Sequence, residues 1–176
     1  DDAGFLYSTT SAPNGQVVVY DVRGRTPVAG RIELDVEDQV ASYTLAPEGG
    51  TVPASDIEID SPRNLYVATF DRIFKFTPVE RVPSGDGQEE IAPGAALGWM
   101  GGCQGGAACD LARGTSRGYG CSAATCTPVV GPAPGQFRGL AGIALDPNDN
   151  LYVADSVNAR VQRFTPEGWF AGQART

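Results

Sequence analysis

Residues 143–154 read Ile-Ala-Leu-Asp-Pro-Asn-Asp-Asn-Leu-Tyr-Val-Ala, and this stretch decides the fold because the chain contains it twice. Residues 57–68 read Ile-Glu-Ile-Asp-Ser-Pro-Arg-Asn-Leu-Tyr-Val-Ala, and seven of the twelve positions are identical without a gap. Repetition at this length indicates that one supersecondary unit has been stacked. A weaker third copy opens the chain, where residues 6–9 match Leu-Tyr-Val-Ala and residues 17–21 match the strand that follows.

Large apolar residues alternate with smaller or polar ones on both sides of residues 146–150, and the same holds around residues 60–64. This period of two is typical of half-buried β-strands. Residues 146–150 combine Pro with Asp and Asn, which favour tight turns. Asn64 and Asn150 occupy the same turn exit, so we assign both to the backbone shape of the turn.

The strand pattern predicts which apolar side chains are buried. Trp99 and Trp169 are expected to mark corresponding strands that pack between units; the alternative is that they form an exposed recognition patch with Tyr119 and Phe170. Within the two copies, the residues expected to be buried are Ile57, Ile59, Leu65, Val67, Ile73, Phe76, Ile143, Leu145, Leu151, Val153, Val161 and Phe164.

The second copy extends into a longer pattern with many residues at fixed spacing. Its elements are Gly135-Gln136-Phe137, residues 142–146, residues 150–155, residues 158–164 and Gly168. This combination resembles an NHL repeat. The resemblance implies four-stranded blades of a β-propeller, with the first three strands at residues 142–145, 151–155 and 160–164 and with residues 168–171 leading into the outer strand. Residues 55–102 match less well because the turn that carries Asp71 and Arg72 is shorter.

We therefore predict an all-β fold of antiparallel NHL-type propeller blades with a Cys-rich loop insert. The predicted units are a degenerate first blade at residues 1–54, an NHL-like blade at 55–102, a disulfide-stapled insert at 103–134 and an NHL blade at 135–176. Closed propellers need four to eight blades of roughly 40 residues each, so about two to three blades make an incomplete ring. Structural roles in the blade turns are assigned to Asp71, Arg72, Asp155, Asn158 and Arg160.

All four cysteines, Cys103, Cys109, Cys121 and Cys126, lie in a segment almost devoid of large apolar residues. Such a segment cannot build a core, so two disulfides are expected to hold it. Three pairings are open, and we prefer Cys103 with Cys109 and Cys121 with Cys126. Free thiols and a zinc site are the alternatives; spacings of five, eleven and four residues lack the paired Cys-x₂-Cys of structural zinc sites. Disulfides indicate an extracellular or cell-surface protein.

The negative net charge of the chain limits the kinds of partner that it can bind. The net charge is −8, and residues 1–60 hold eleven acidic residues against three Arg. Phosphate backbones reward clustered Lys and Arg, so nucleic-acid binding, which the resemblance would allow on a basic propeller face, is disfavoured. No apolar run reaches the length of a membrane-spanning helix, so membrane insertion is not expected either.

The chain contains no histidine. This excludes Ser-His-Asp and Cys-His catalysis as well as His-ligated zinc. It also argues against the amidating-lyase branch of NHL-like propellers, where the resemblance would require His metal ligands. We predict no catalytic residue and no cofactor.

A calcium site is the remaining alternative. Asp146, Asn148 and Asp149 have the oxygen-rich character of a calcium loop, although the matching turn carries Arg63 in place of an oxygen donor. The resemblance includes lactonase-like propellers that hold calcium with acidic and Asn side chains, but their site needs a closed ring.

Two function classes follow from these patterns. The favoured one is a non-enzymatic extracellular structural or interaction module, either part of a longer chain or a homo-oligomer that closes as a ring or continues as a filament. The alternative is a fragment of a calcium-dependent propeller hydrolase or lactonase. The protein partner expected in the first case is a further copy of the chain or the remainder of a longer one, because incomplete blades leave strand edges open.

Overall fold

A computed structural model describes residues 1–10, 15–25, 34, 36–45 and 53–175 of the chain. These residues form β-strands and two 3₁₀ turns, Val36–Asp38 and Ser156–Asn158, and none of them lies in an α-helix. Every strand pair in the described part of the chain is antiparallel. The predicted all-β, antiparallel fold class is confirmed.

Three larger sheets follow one another along the chain. The first has the order β1 (Phe5–Thr10), β2 (Gln16–Asp21), β3 (Gln39–Thr44). The second has the order β4 (Asp56–Ile59), β5 (Leu65–Ala68), β6 (Arg72–Phe76), β9 (Ala96–Gly101), and the hairpin β7 (Glu80–Pro83) and β8 (Glu89–Ala92) is inserted before β9. The third has the order β14 (Leu140–Leu145), β15 (Leu151–Asp155), β16 (Arg160–Phe164), β17 (Phe170–Arg175).

The Cys-rich insert lies between the second and third sheets in sequence and contains only short ladders. Its strands are β10 (Cys103–Gln104) paired with β13 (Thr127–Pro128), and β11 (Cys109–Asp110) paired with β12 (Thr115–Ser116). Trp99 in β9 donates its backbone N–H to the carbonyl of Cys121 at 2.8 Å, so the insert is attached to the outer strand of the second sheet.

The second and third sheets repeat the same strand register. In the second, Leu65 lies opposite Phe76 and Tyr66 opposite Lys75. In the third, residues 151 and 152 lie opposite residues 164 and 163 in the same order. The two stretches that share one sequence pattern therefore form the same structural unit. Residues 168 and 169 lead into the outer strand of the third sheet, which begins at residue 170 and runs to 175.

The second sheet lies between the other two and buries both of its faces. Leu65 and Val67 belong to a core shared with the first sheet. Tyr66 and Ala68 point the opposite way into a core shared with the third sheet. The alternation of side chains along a strand therefore supplies each neighbouring sheet with its own apolar contact.

Eight of the twelve apolar residues expected in the core are buried. Ile57, Ile59, Leu145 and Val161 are only partly buried. The expectation for the tryptophans is wrong in part, because Trp99 is 2% exposed but Trp169 is 49% exposed. The two are not equivalent: Trp99 lies mid-strand opposite Phe74, whereas Trp169 precedes β17 at the hairpin turn.

Candidate functional site

The same Asp-capped turn precedes the second strand of both the second and the third sheet. Asp60 accepts the backbone N–H of Asn64 at 2.6 Å, the side-chain amide of Asn64 at 2.8 Å and the hydroxyl of Tyr66 at 3.0 Å. Asp146 accepts the same groups from Asn150 at 3.0 and 2.9 Å. The shared Asp and Asn of the repeat thus close a turn, and in the second sheet the shared Tyr also binds its carboxylate.

The two Asn residues act through their side chains, which differs from the role assigned from the sequence. The left-handed backbone lies one residue earlier, at Arg63 with a φ of 69° and at Asp149 with a φ of 59°. Asn64 and Asn150 instead hold the carboxylate that caps the turn.

The first sheet carries the same Asp-capped turn. Asp1 accepts the backbone N–H of Phe5 at 3.0 Å and the hydroxyl of Tyr7 at 3.0 Å. The signal for it is an Asp followed by Tyr six residues later, at positions 1, 60 and 146. Asp1 lies outside the stretch that matches the repeat, which starts at residue 6, so the repeat alone does not predict this turn.

The calcium candidates are engaged in the turn. Besides Asn150, Asp146 accepts the backbone N–H of Asn148 at 2.9 Å, and these bonds lower the pKa of its carboxyl. Asp149 reaches the neighbouring sheet, where it accepts both the backbone N–H and the hydroxyl of Ser61 at 3.0 Å. Calcium at these residues stays an untested alternative.

Lys75 forms a polar cluster between the second and third sheets that the sequence did not reveal. Its side chain is 12% exposed, and its ammonium lies 3.3 Å from Asp60, donates to the Tyr66 hydroxyl and donates to the carbonyl of Pro166 at 3.2 Å. It also lies 5.4 Å from the ring centroid of Tyr119. Burial, and then the Asp60 carboxylate, raise the pKa of Tyr66, so the hydroxyl remains a donor.

The solvent-facing side of the third sheet carries the same positions without a cover. We define the open face by Tyr152, Ala154, Val161 and Arg163, which match residues 66, 68, 73 and 75 of the second sheet in strand register. Tyr152 is 36% exposed, whereas Tyr66 is fully buried. The same residue type at the same register is therefore covered in one sheet and available in the next.

A buried ionic network anchors the connection from the insert to the third sheet. Asp155 is fully buried and accepts Arg160 Nε at 2.8 Å, Asn158 Nδ2 at 2.9 Å and Gln162 Nε2 at 3.2 Å. Arg160 also donates to the carbonyls of Pro132, Ala133 and Gln136. These bonds satisfy each charged group, as buried ions require.

The matching pair in the second sheet is built differently. Asp71 and Arg72 are neighbours in sequence and pair at 2.8 Å, with side chains that are 16% and 20% exposed. The Arg72 guanidinium lies 5.4 Å from the ring centroid of Trp99. The shorter turn therefore gives a local surface pair in place of a buried network.

All four cysteines are oxidised in the preferred pairing, Cys103 with Cys109 and Cys121 with Cys126. The sulfurs of Cys103, Cys121 and Cys126 lie within 4.8 Å of one another, so the two disulfides pack together. All four join the core between the first and second sheets. The disulfides thus attach the insert to this core by apolar contact.

The repeated register, the Asp-capped turns and the buried Asp155 network define blade-like sheets of a propeller type. The family model described as NHL repeat matches residues 137–164, which run from the end of the anchored connection through β16. The third sheet is therefore built on an NHL repeat, which confirms the resemblance found in the sequence. No curated protein matches the chain.

Nowhere in the described ranges is there a helix long and apolar enough to cross a membrane.

Proposed function

We propose that the chain is a non-enzymatic, extracellular protein-interaction module whose open face docks a further sheet of its own type. The observation that carries this proposal is the match between the open face and the covered face of the second sheet. At all four matched positions the residue is the same or of similar character: Tyr for Tyr, Ala for Ala, Val for Ile and Arg for Lys.

The covered face supplies the geometry for the proposed contact. Tyr66, Ala68 and Ile73 are fully buried against the third sheet, and Lys75 reaches a backbone carbonyl of that sheet. A sheet on the open face would cover Tyr152 and Val161 in the same way, and Arg163 would occupy the position of the lysine. Burying such apolar area stabilises association.

A second copy of the chain is the partner that fits. In the first sheet, Leu6 lies opposite Tyr20, as Leu151 lies opposite Phe164 in the third sheet. Leu151 is buried against the second sheet, whereas Leu6 is 47% exposed on the corresponding face. Contact between the open face of one copy and the first sheet of the next is heterologous, so it closes a ring or continues as a filament.

The free edge of the first sheet supports the same proposal. Within the described ranges, β1 pairs with β2 only, and its other edge carries no strand. Such an edge accepts a strand through main-chain hydrogen bonds. An extracellular location is supported by the two disulfides, since these bonds persist in oxidising compartments.

Light scattering on the isolated chain tests the proposal. We expect the mean molar mass to rise with micromolar concentration, and Val161→Asp to keep the chain monomeric by placing a charge on the open face. Leu111→Asp is the matched control, because Leu111 is a 69% exposed aliphatic residue of the insert. A monomeric mass for the unmodified chain at every concentration would overturn self-association, provided that circular dichroism shows a folded protein.

A further inference from the structure

A cleft opens between the outer strands of the second and third sheets, with the Cys-rich insert along one side. Its volume is about 490 Å³, which lies within the range of small-molecule sites. Its lining includes Met100 and Phe164, and it shares no residue with the open face. Ligand binding in the cleft can therefore be tested independently of the proposed docking of sheets.

One wall of the cleft is aromatic and exposed. Trp169 is 49% and Phe170 is 39% exposed, and both line the cleft. The hairpin turn that carries them is fixed, because the N–H of Thr165 donates to the carbonyl of Trp169 at 2.9 Å and that of Gly168 donates to Thr165 at 2.8 Å. The aromatic surface is thus held in water by a defined turn.

Gly168 allows this turn to lie against the insert. Its φ is 85°, and a side-chain carbon at this position would come within 2.9 Å of the Tyr119 ring. The Phe170 ring contacts Phe164 edge-on at a centroid distance of 5.8 Å. The wall is therefore supported from behind by both the third sheet and the insert.

Polar residues of the insert form another part of the lining. Arg113 Nε lies 3.8 Å from Asp110 Oδ2, and the two side chains are 76% and 31% exposed. Thr115 lies opposite Asp110 in the β11–β12 ladder, and the disulfide of Cys109 fixes that ladder. Donor and acceptor groups are thus presented together, and their formal charges cancel.

We infer that the cleft binds a neutral saccharide. A pyranose ring has an apolar C–H face and a rim of hydroxyl groups, which correspond to an aromatic wall and a wall of mixed donors and acceptors. Amphipathic aromatic rings such as Trp suit a ligand surface that is apolar but wet. The balance of one acidic and one basic side chain favours a neutral ligand over an anion or a cation, since either would meet a like charge.

Intrinsic fluorescence provides a specific test, because the chain has two tryptophans and Trp99 is buried. The probes are cellotetraose, chitotetraose and maltotetraose, each titrated into the full chain. We expect at least one to shift the emission of Trp169 saturably. Trp169→Ala should remove the spectral change. Isothermal titration calorimetry should show that the affinity of this variant for the saccharide is lower than that of the unmodified chain by a factor of roughly ten or more. Asp110→Asn should also weaken binding.

Phe70→Ala is the matched control, because Phe70 is an aromatic residue with 54% exposure outside the cleft. This variant should bind like the unmodified chain. The inference is overturned if none of the three saccharides binds, if Trp169→Ala leaves the affinity unchanged, or if a proline-rich peptide produces the Trp169 response that the saccharides do not. Because binding is read from the cleft, its failure leaves the proposed docking of sheets untouched.

Discussion

Replacing Asp155 by Ala should be among the most damaging single substitutions in the third sheet. The side chain of Asp155 is completely buried, and the side chain of Arg160 is only 4% exposed. The substitution removes the acceptor of Arg160 Nε, Asn158 Nδ2 and Gln162 Nε2, and also that of the backbone N–H of Arg138. Breaking a buried ion pair at one side leaves an uncompensated charge, so we expect a loss of about 3–5 kcal/mol in the free energy of unfolding.

Urea denaturation followed by far-ultraviolet circular dichroism measures this loss. Asp71→Ala is the control, because it removes the matching carboxylate of the second sheet from a pair that is 16–20% exposed; its expected cost is about 1 kcal/mol or less. Asp155→Leu combined with Arg160→Met should be less destabilising than the sum of the single changes. Equal losses for Asp155→Ala and Asp71→Ala would refute the reasoning that burial decides the cost.

Three further predictions concern the disulfides and the titrating groups. Replacing Cys103 and Cys109 by Ala opens a loop of sequence separation 6 and should lower the free energy of unfolding in urea by about 2 kcal/mol; unchanged stability would contradict this. Hydrogen bonds from Arg81 hold the pKa of Asp21 below its ordinary value of 3.8, so this stabilisation is present above pH 3.8 and is lost as pH falls further. Arg81→Met should therefore lower the melting temperature at pH 6, and its melting temperature should fall less between pH 6 and acid than that of the unmodified chain. An equal fall in the variant and in the unmodified chain would refute this prediction. Burial raises the pKa of Tyr66 above its ordinary value of 10.0. The contribution of this group to the free energy of unfolding is therefore fully present below pH 10 and is lost as the pH rises further. The Tyr66 phenolate should appear in the absorbance spectrum only when the chain unfolds, and titration of Tyr66 in a folded chain would contradict this.

The strand pattern was predictable because it depends on local spacing. Residues 65–68 and 151–154 alternate with period two, and this alone determines which side chains face the preceding sheet. The preferred disulfide pairs are also short-range, joining residues separated by 6 and 5 positions. Features set within one unit are therefore accessible from a single sequence.

Contacts between units were not predictable in the same way. Lys75 has the pattern of a solvent-facing strand residue, yet its side chain is only 12% exposed because the third sheet covers most of it. Gln162 is fully buried because the connection at residues 135 and 136 folds back to accept and donate its hydrogen bonds. Trp169 has the large apolar side chain of a typical core residue, but it lies at an exposed turn that packs against the insert. Each of these depends on residues far away in sequence.

Chemical modification of tyrosine tests the central claim most directly, because the repeat places Tyr66 and Tyr152 at the same register with opposite exposure. Nitration of the folded chain, followed by peptide mass spectrometry, reports both residues in one sample. We predict that Tyr66 stays unmodified, and that Tyr152 reacts in dilute solution and becomes protected as concentration and molar mass rise together. Nitration of Tyr152 that is independent of concentration, or modification of Tyr66 in the folded chain, would contradict the account.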